Sequence, residues 1–244
     1  MNEFLIGLQF LTRIYIARQT EWTEESFGKS VKYFPLIGAV VGIISAALAG
    51  IFFFITGGKL PILTGAIHCD GFMDTFDGLF SGRDRERILE IMKDSRVGAF
   101  GVVSFVMLSI LDFAALSELS GASISMLSAA IYSAPIIGRL MMVVTIGEFP
   151  YARLEGMGKA FAEYTTQSTV ALVTMETLIL LSPLMLLSTM TIKPLLTSLV
   201  ITLIFALYFG KFATKKVGGV TGDIYGAVEI ISEALVIVLF LLNC

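Results

Sequence analysis

The chain has 244 residues, 56% of them hydrophobic and 15% charged, with a mean hydropathy of +0.86 and a formal net charge of −3. A soluble domain of this size carries about 25% charged residues, so the apolar excess is expected to face lipid, and the mildly acidic balance shows no nucleic-acid footprint. Cys69 and Cys244 offer neither a disulfide framework nor zinc spacing, and the N-terminus lacks the basic start of a cleavable signal peptide.

In chain order, residues 2–17 set Phe4, Leu5, Leu8 and Leu11 at helical spacing, which predicts a short amphipathic helix on the membrane surface. After a polar stretch, the first span is expected at about 34–56, from Phe34-Pro35 to just before Gly57-Gly58. Residues 61–80 are moderately apolar but contain His68, Asp70, Asp74 and Asp77, and the apolar part before His68 is short for a crossing. A charged stretch, 81–97, is amphipathic through Ile88, Leu89 and Met92. Further spans are expected at about 98–118, 123–146, 168–189, 195–213 and 223–242. The chain thus reads as one all-α membrane domain over 1–244, a polytopic bundle of about seven transmembrane helices with an N-terminal amphipathic interfacial helix.

Counting basic residues in the loops orients the bundle. With the N-terminus inside and each segment crossing once, the inner side holds Arg13, Arg18, Lys29, Lys32, Arg83, Arg85, Arg87, Lys93, Arg96, Arg153, Lys159, Lys211, Lys215 and Lys216. The outer side holds Lys59 and Lys193, and Arg139 lies within a span. The asymmetry holds only if 61–80 crosses, which leaves the C-terminus outside and places the acidic residues at the inner, cytoplasmic boundary.

Asp70, Asp74 and Asp77 stand at i, i+4 and i+7, within an arc of roughly 60° on a helix. Three carboxylates so close repel one another unless a cation neutralises them, and residues 65–80 supply no basic partner. Hard oxygen ligands suit Mg²⁺ or Mn²⁺, and Mg²⁺ uses one or two carboxylates together with substrate phosphate oxygens. A water-facing helix end with satisfied aspartates is the plainer reading, but ionisable groups in a membrane segment are functional by default. His68, two residues before Asp70, points away from the acidic face of a continuous helix, so packing and catalysis are both open to it.

Three further segments carry polar chemistry. In 93–101, Asp94 could complete a metal site and Arg96 could grip phosphate, as alternatives to a solvated ion pair. In 150–158, Arg153 is a candidate phosphate clamp in a turn-rich loop. The glycine-rich entry at Gly218, Gly219, Thr221, Gly222 and Asp223 leads into a span that also holds Glu229 and Glu233; such an entry favours anions, whereas the acidic groups beyond it could instead bind a cation. Arg139, deep in a span, requires a carboxylate or phosphate partner unless it snorkels.

Taken together and in this order, the motifs resemble the cobalamin synthase (adenosylcobinamide-GDP ribazoletransferase) family over most of the chain. They are Phe10-Leu11-Thr12-Arg13, Phe34-Pro35-Leu36-Ile37-Gly38, the H-x-D-G-x-x-D-x-x-D-G run at 68–78 and Met92-Lys93-Asp94-Ser95-Arg96 with Gly98 and Gly101. Tyr151-Ala152-Arg153 with Glu155-Gly156-Met157-Gly158 follows, then Gly218-Gly219 and Thr221-Gly222-Asp223 with Gly226-Ala227. The resemblance implies an enzyme of the cell membrane that joins α-ribazole or its 5′-phosphate to adenosylcobinamide-GDP and releases GMP, with Mg²⁺. It implies Asp70, Asp74 and Asp77 as metal ligands, with Asp94 a further one. His68, Asp74 or Asp77 would take the hydroxyl proton. Arg13, Arg96, Arg139, Tyr151, Arg153, Thr221, Asp223 and Glu233 would contact substrate. The sequence departs from the family in its shorter apolar stretch before His68, and in having Ile230 where an acid is usual, with Glu229 one place earlier.

Two other classes stay open on sequence. CDP-alcohol phosphotransferases and aromatic prenyltransferases also use spaced aspartates with Mg²⁺, although the Ala-Arg expected after the first Asp-Gly pair is missing after both Asp70-Gly71 and Asp77-Gly78. A secondary transporter would show internal repeats and a midplane site, and no repeat is evident.

Overall fold

A computed structural model describes residues 2–12, 14, 16, 23–56 and 68–244. Arg13 and the upstream half of the crossing expected at 61–80 lie outside these residues. Among the described residues six helical segments are long and apolar enough to cross a membrane. They contain α3 (Phe34–Thr56), α6 (Ala99–Ala122), α7 (Ile124–Glu148), α9 (Gln167–Leu187), α10 (Ile192–Val217) and α11 (Gly222–Leu241). Shorter helices fill the loops: α1 (Asn2–Leu11), α2 (Glu24–Lys29), α4 (Cys69–Leu79), α5 (Arg85–Ile91) and α8 (Met157–Tyr164). A 3-10 turn over Ser30–Tyr33 joins α2 to α3. The protein is a polytopic, all-α membrane bundle.

Local chemistry sets the helix ends. Ser123, Thr166 and Thr221 each accept a backbone N–H from their own first turn to begin α7, α9 and α11, as N-caps do. Gly218, at φ +82°, closes α10 in the left-handed conformation that favours glycine. The N-terminal helix stops at Leu11, short of the expected residue 17. Its apolar residues Ile6, Leu8 and Leu11 are fully buried, against the start of α3, where Gly7 lies beside Ile37 and Ser30.

The bundle is built around α7. In its most apolar stretch 94% of residues are buried, against 17% for α6 and α9, so α7 is the central post and the other two meet lipid. Helix α3 packs antiparallel on it through Gly38 and Gly42, where a Cβ would overlap the Pro135 carbonyl and lie 2.5 Å from that of Tyr132. This is the small-xxx-small contact by which membrane helices approach closely. On the opposite face α7 meets α11, with Gly138 against Glu229 and Glu233.

Helices α3, α6, α9 and α11 start at one end of the bundle, and α7 and α10 finish there. The short helix α4 points back toward the same end, where the far side of Gly71 meets Asp223 at the start of α11. The directions therefore alternate as expected, but α4 has 11 residues, about 16 Å, half the hydrocarbon thickness. It is not one of the six candidate spans.

Candidate active site at one end of the bundle

The acidic helix α4 is polar along one side only. Phe72, Thr75 and Leu79 are buried, whereas Asp70 is exposed and Asp74 half-buried. Burial, followed by the charges of Asp70, Asp223 and Asp77, raises the carboxyl of Asp74 to about 7, with Arg153 opposing the shift. Asp70, Asp77, Asp223 and Arg153 therefore all lie close enough to act on the Asp74 carboxyl.

Asp77 shares the helical face but has another engagement. Its two oxygens accept the backbone N–H groups of Gly98 at 2.6 Å and Gly101 at 2.8 Å, closing the first turn of α6. A Cβ at either glycine would strike this carboxylate. The bare backbone of Gly98 and Gly101 therefore lets a neighbouring helix supply the cap that α6 lacks in its own sequence.

Two loops that are far apart in sequence meet beside α4. Tyr151 and Val220 form a parallel bridge, with Ala152 N–H donating to Val220 at 2.8 Å and Val220 N–H donating to Pro150 at 2.8 Å. That pairing brings the Arg153 loop to the start of α11. The Arg153 guanidinium donates to Asp223 at 2.8 Å and to the Met92 carbonyl at 3.4 Å. Thr221 donates to the same Asp223 oxygen at 3.2 Å while its hydroxyl accepts the Ile224 N–H. Tyr151 is half-buried beside this pair, and burial raises its phenol. Of the residues expected at the site, the structure therefore brings Asp70, Asp74, Tyr151, Arg153, Thr221 and Asp223 together.

Asp94 and Arg96 pair with each other at 2.7 Å in the loop between α5 and α6, with the arginine side chain 88% exposed. Hydrogen bonds from the Arg96 side chain and backbone hold the Asp94 carboxyl down at about 2. This is the solvated ion pair that stood as the alternative to metal and phosphate contacts.

Arg139 and Glu233 belong to a different centre, inside the bundle. The Arg139 guanidinium lies 2.9 Å from Glu229 and donates to Glu233 at 3.1 Å and to the Pro135 carbonyl at 3.0 Å. Its side chain is 3% exposed and that of Glu229 is 2% exposed. A buried charge needs a paired charge, and here one arginine has two carboxylates. His68, at the start of α4, turns toward the same centre: its Nε2 is 3.7 Å from Glu229, and its Nδ1 faces the bare backbone of Gly226. It therefore points away from Asp70 and Asp74, as its position in the helix predicts. Sequence spacing does not join Glu229 to Arg139, and the motifs do not include Asp112, whose Oδ1 is buried without a hydrogen-bond partner. A single acid in the apolar run of α6 was the signal for Asp112.

For a divalent cation, the donor set is the test. Among the described residues no three His, Cys, Asp or Glu side chains are already gathered to hold a metal. Asp70 and Asp74 nevertheless offer hard oxygen donors one turn apart at an accessible, uncompensated acidic surface. That fits Mg²⁺, which takes one or two carboxylates and leaves its other positions to water and phosphate.

Fold and site define a polytopic helical membrane protein with an acidic centre, holding one arginine, at one end of the bundle. The family model described as Cobalamin-5-phosphate synthase matches residues 3–241. The chain belongs to this family and is a transferase. It is 36% identical to the adenosylcobinamide-GDP ribazoletransferase of Fusobacterium nucleatum, over 99% of this chain and 97% of the relative. Proteins of the same name from Desulfitobacterium hafniense and Clostridium acetobutylicum are 36% and 39% identical, over 96% and 93% of this chain and 94% and 90% of theirs. No solved structure matches the chain. Membership sets aside the CDP-alcohol, prenyltransferase and transporter readings.

Proposed function

We propose that the protein transfers the adenosylcobinamide-phosphate group of adenosylcobinamide-GDP to α-ribazole or its 5′-phosphate, releasing GMP, at the cytoplasmic face of the cell membrane. The observation that carries this reading is the set of carboxylates Asp70, Asp74 and Asp223 around Arg153, at the end of the bundle where the described basic loops collect. An acceptor hydroxyl attacks the phosphorus attached to cobinamide. A P–O bond forms there, the anhydride P–O bond breaks, and GMP leaves with the bridging oxygen. The hydroxyl proton passes to a nearby carboxylate of this set.

Mg²⁺ bound by Asp70 and Asp74 would neutralise charge on the diphosphate. Arg153, held by Asp223 and turned to the same acids, offers further N–H donors to a phosphate oxygen. Tyr151 and Thr221 fix the two loops that present these groups. Asp77 positions α6, and Arg139, Glu229, Glu233 and His68 position α4 and α11 from within the bundle. The test is Asp74→Asn: expression and melting should hold while Mg²⁺-dependent GMP release is lost. Release at the wild-type rate would sink the assignment.

A further inference from the structure

Beside the acidic centre, helix α8 separates two clefts. One, of about 470 Å³, is lined by Tyr151 and Arg153. The other, of about 630 Å³, lies between α8 and the N-terminal elements, with Phe10 and Phe27 in its wall and Leu154 and Glu155 on its rim. Lys159 and Glu163 line both. The second cleft has no part in the chemistry described so far.

Its composition narrows what it can hold. The aromatic wall is fixed from behind: Phe10 meets Phe27 edge-on at 4.9 Å, and Phe27 stacks on Phe161 at 4.5 Å. Leu154 is 90% exposed at the mouth, an apolar side chain set out in water between the charged residues Arg153 and Glu155. Among the described residues, the remaining lining carries three carboxylates, Glu24, Glu155 and Glu163, against one cation, Lys159. A polyanion is repelled by that balance, so the diphosphate donor does not belong there. A flat, uncharged aromatic ring system does: its rings pack on phenylalanine and leucine, while Glu155 on the rim can accept from hydroxyls on a sugar attached to it. The volume is in the range of small-molecule sites.

The cleft is also close to the acidic centre. Arg153, on Asp223, and Leu154, at the cleft mouth, are consecutive residues. Gly156, at φ +133°, turns the rim, and a Cβ there would lie 2.8 Å from the Tyr151 hydroxyl. The rim of this cleft therefore lies directly against the acidic centre. We infer that the cleft between α8 and the N-terminal helices seats the aromatic base of the nucleoside acceptor, with its ribose directed over the 153–156 loop toward Tyr151 and Arg153. This rests on the transfer reaction proposed above.

Two measurements on the full-length purified protein test it. In steady-state GMP release, Leu154→Ser and Phe10→Leu should each raise the KM for α-ribazole, the former about tenfold, the loss expected for one leucine-sized contact. The KM for adenosylcobinamide-GDP should stay at its wild-type value. An unchanged acceptor KM, or a change in donor KM instead, overturns the assignment; Leu154→Ser, at an exposed loop position, keeps this readable if Phe10→Leu fails to fold. If the wild type releases no GMP, the reaction itself falls, and the cleft is decided by binding alone. Benzimidazole riboside, followed by its own fluorescence without donor or Mg²⁺, should bind the wild type and bind Leu154→Ser about tenfold more weakly. No binding to the wild type, or equal binding to both, overturns the inference.

Discussion

Asp77 has the same side-chain chemistry as Asp70 and Asp74 and the same helical face, yet its oxygens hold the amides of Gly98 and Gly101. Asp77→Ala should therefore lower the stability of the detergent-solubilised protein by about 1–2 kcal/mol, the usual cost of a lost cap. Asp77→Asn, which keeps one acceptor oxygen, should cost less. Equal melting temperatures for all three would remove the capping role. Asp74 makes a different demand. Its carboxyl is raised to about 7, so in the folded protein ionisation costs stability as pH climbs from the ordinary carboxylate value through about 7. A proton must also leave before a metal can bind. The Mg²⁺ concentration that half-saturates GMP release should thus rise about tenfold per unit of pH below about 7 and level off above it. A pH-independent Mg²⁺ requirement would take Asp74 out of the metal's reach. The spacing of the three aspartates was legible in the sequence, because helical geometry is local. The separate duty of Asp77 was not, because its partners lie on a helix whose docking no local pattern encodes.

At the scale of elements, α7 and α11 are joined inside the bundle by Arg139 between Glu229 and Glu233. Arg139→Met leaves two buried acids without a counter-charge and should cost about 3–5 kcal/mol in thermal unfolding, as broken buried pairs do. Arg139→Met with Glu229→Gln should recover part of that loss. A single variant as stable as the wild type would show that the pair does not hold the helices. Hydropathy gave the six long helices to within a few residues, because bilayer thickness fixes the length of an apolar run. It could not give α4, where acidic residues replace the apolar signal, nor the end of α1 at Leu11. The need of Arg139 for a carboxylate was readable from its setting, but the two that meet it stand on another helix, at a distance in sequence that spacing rules do not bridge.

For the whole molecule, alternating helix directions put Lys29, Lys32, the basic residues of α5 and the 93–96 loop, Arg153, Lys215 and Lys216 at the end that carries the acidic centre, and Lys193 at the other. This asymmetry is what supports the proposal, by the positive-inside rule, that the first end faces the cytoplasm. Cys244, exposed just past the far end of α11, should then react with a membrane-impermeant maleimide in intact cells, whereas buried Cys69 should not. Labelling of Cys244 only in inside-out vesicles would reverse the orientation. The order of the motifs along the chain was legible and specific. Their meeting was not, since it depends on the pairing of Tyr151 with Val220.

That Asp223, Glu229 and Glu233 all reside on α11 also bears on biosynthesis. Helix α7 must enter the bilayer carrying Arg139, a residue that costs about 2.5–3.5 kcal/mol at the centre of an inserting helix, before its counter-charges have been translated. Arg153 likewise waits for Asp223. A nascent chain halted ahead of α11 holds Arg139 and Arg153 without Glu229, Glu233 or Asp223, so insertion of the final helix is the event that pairs both arginines and completes the two centres.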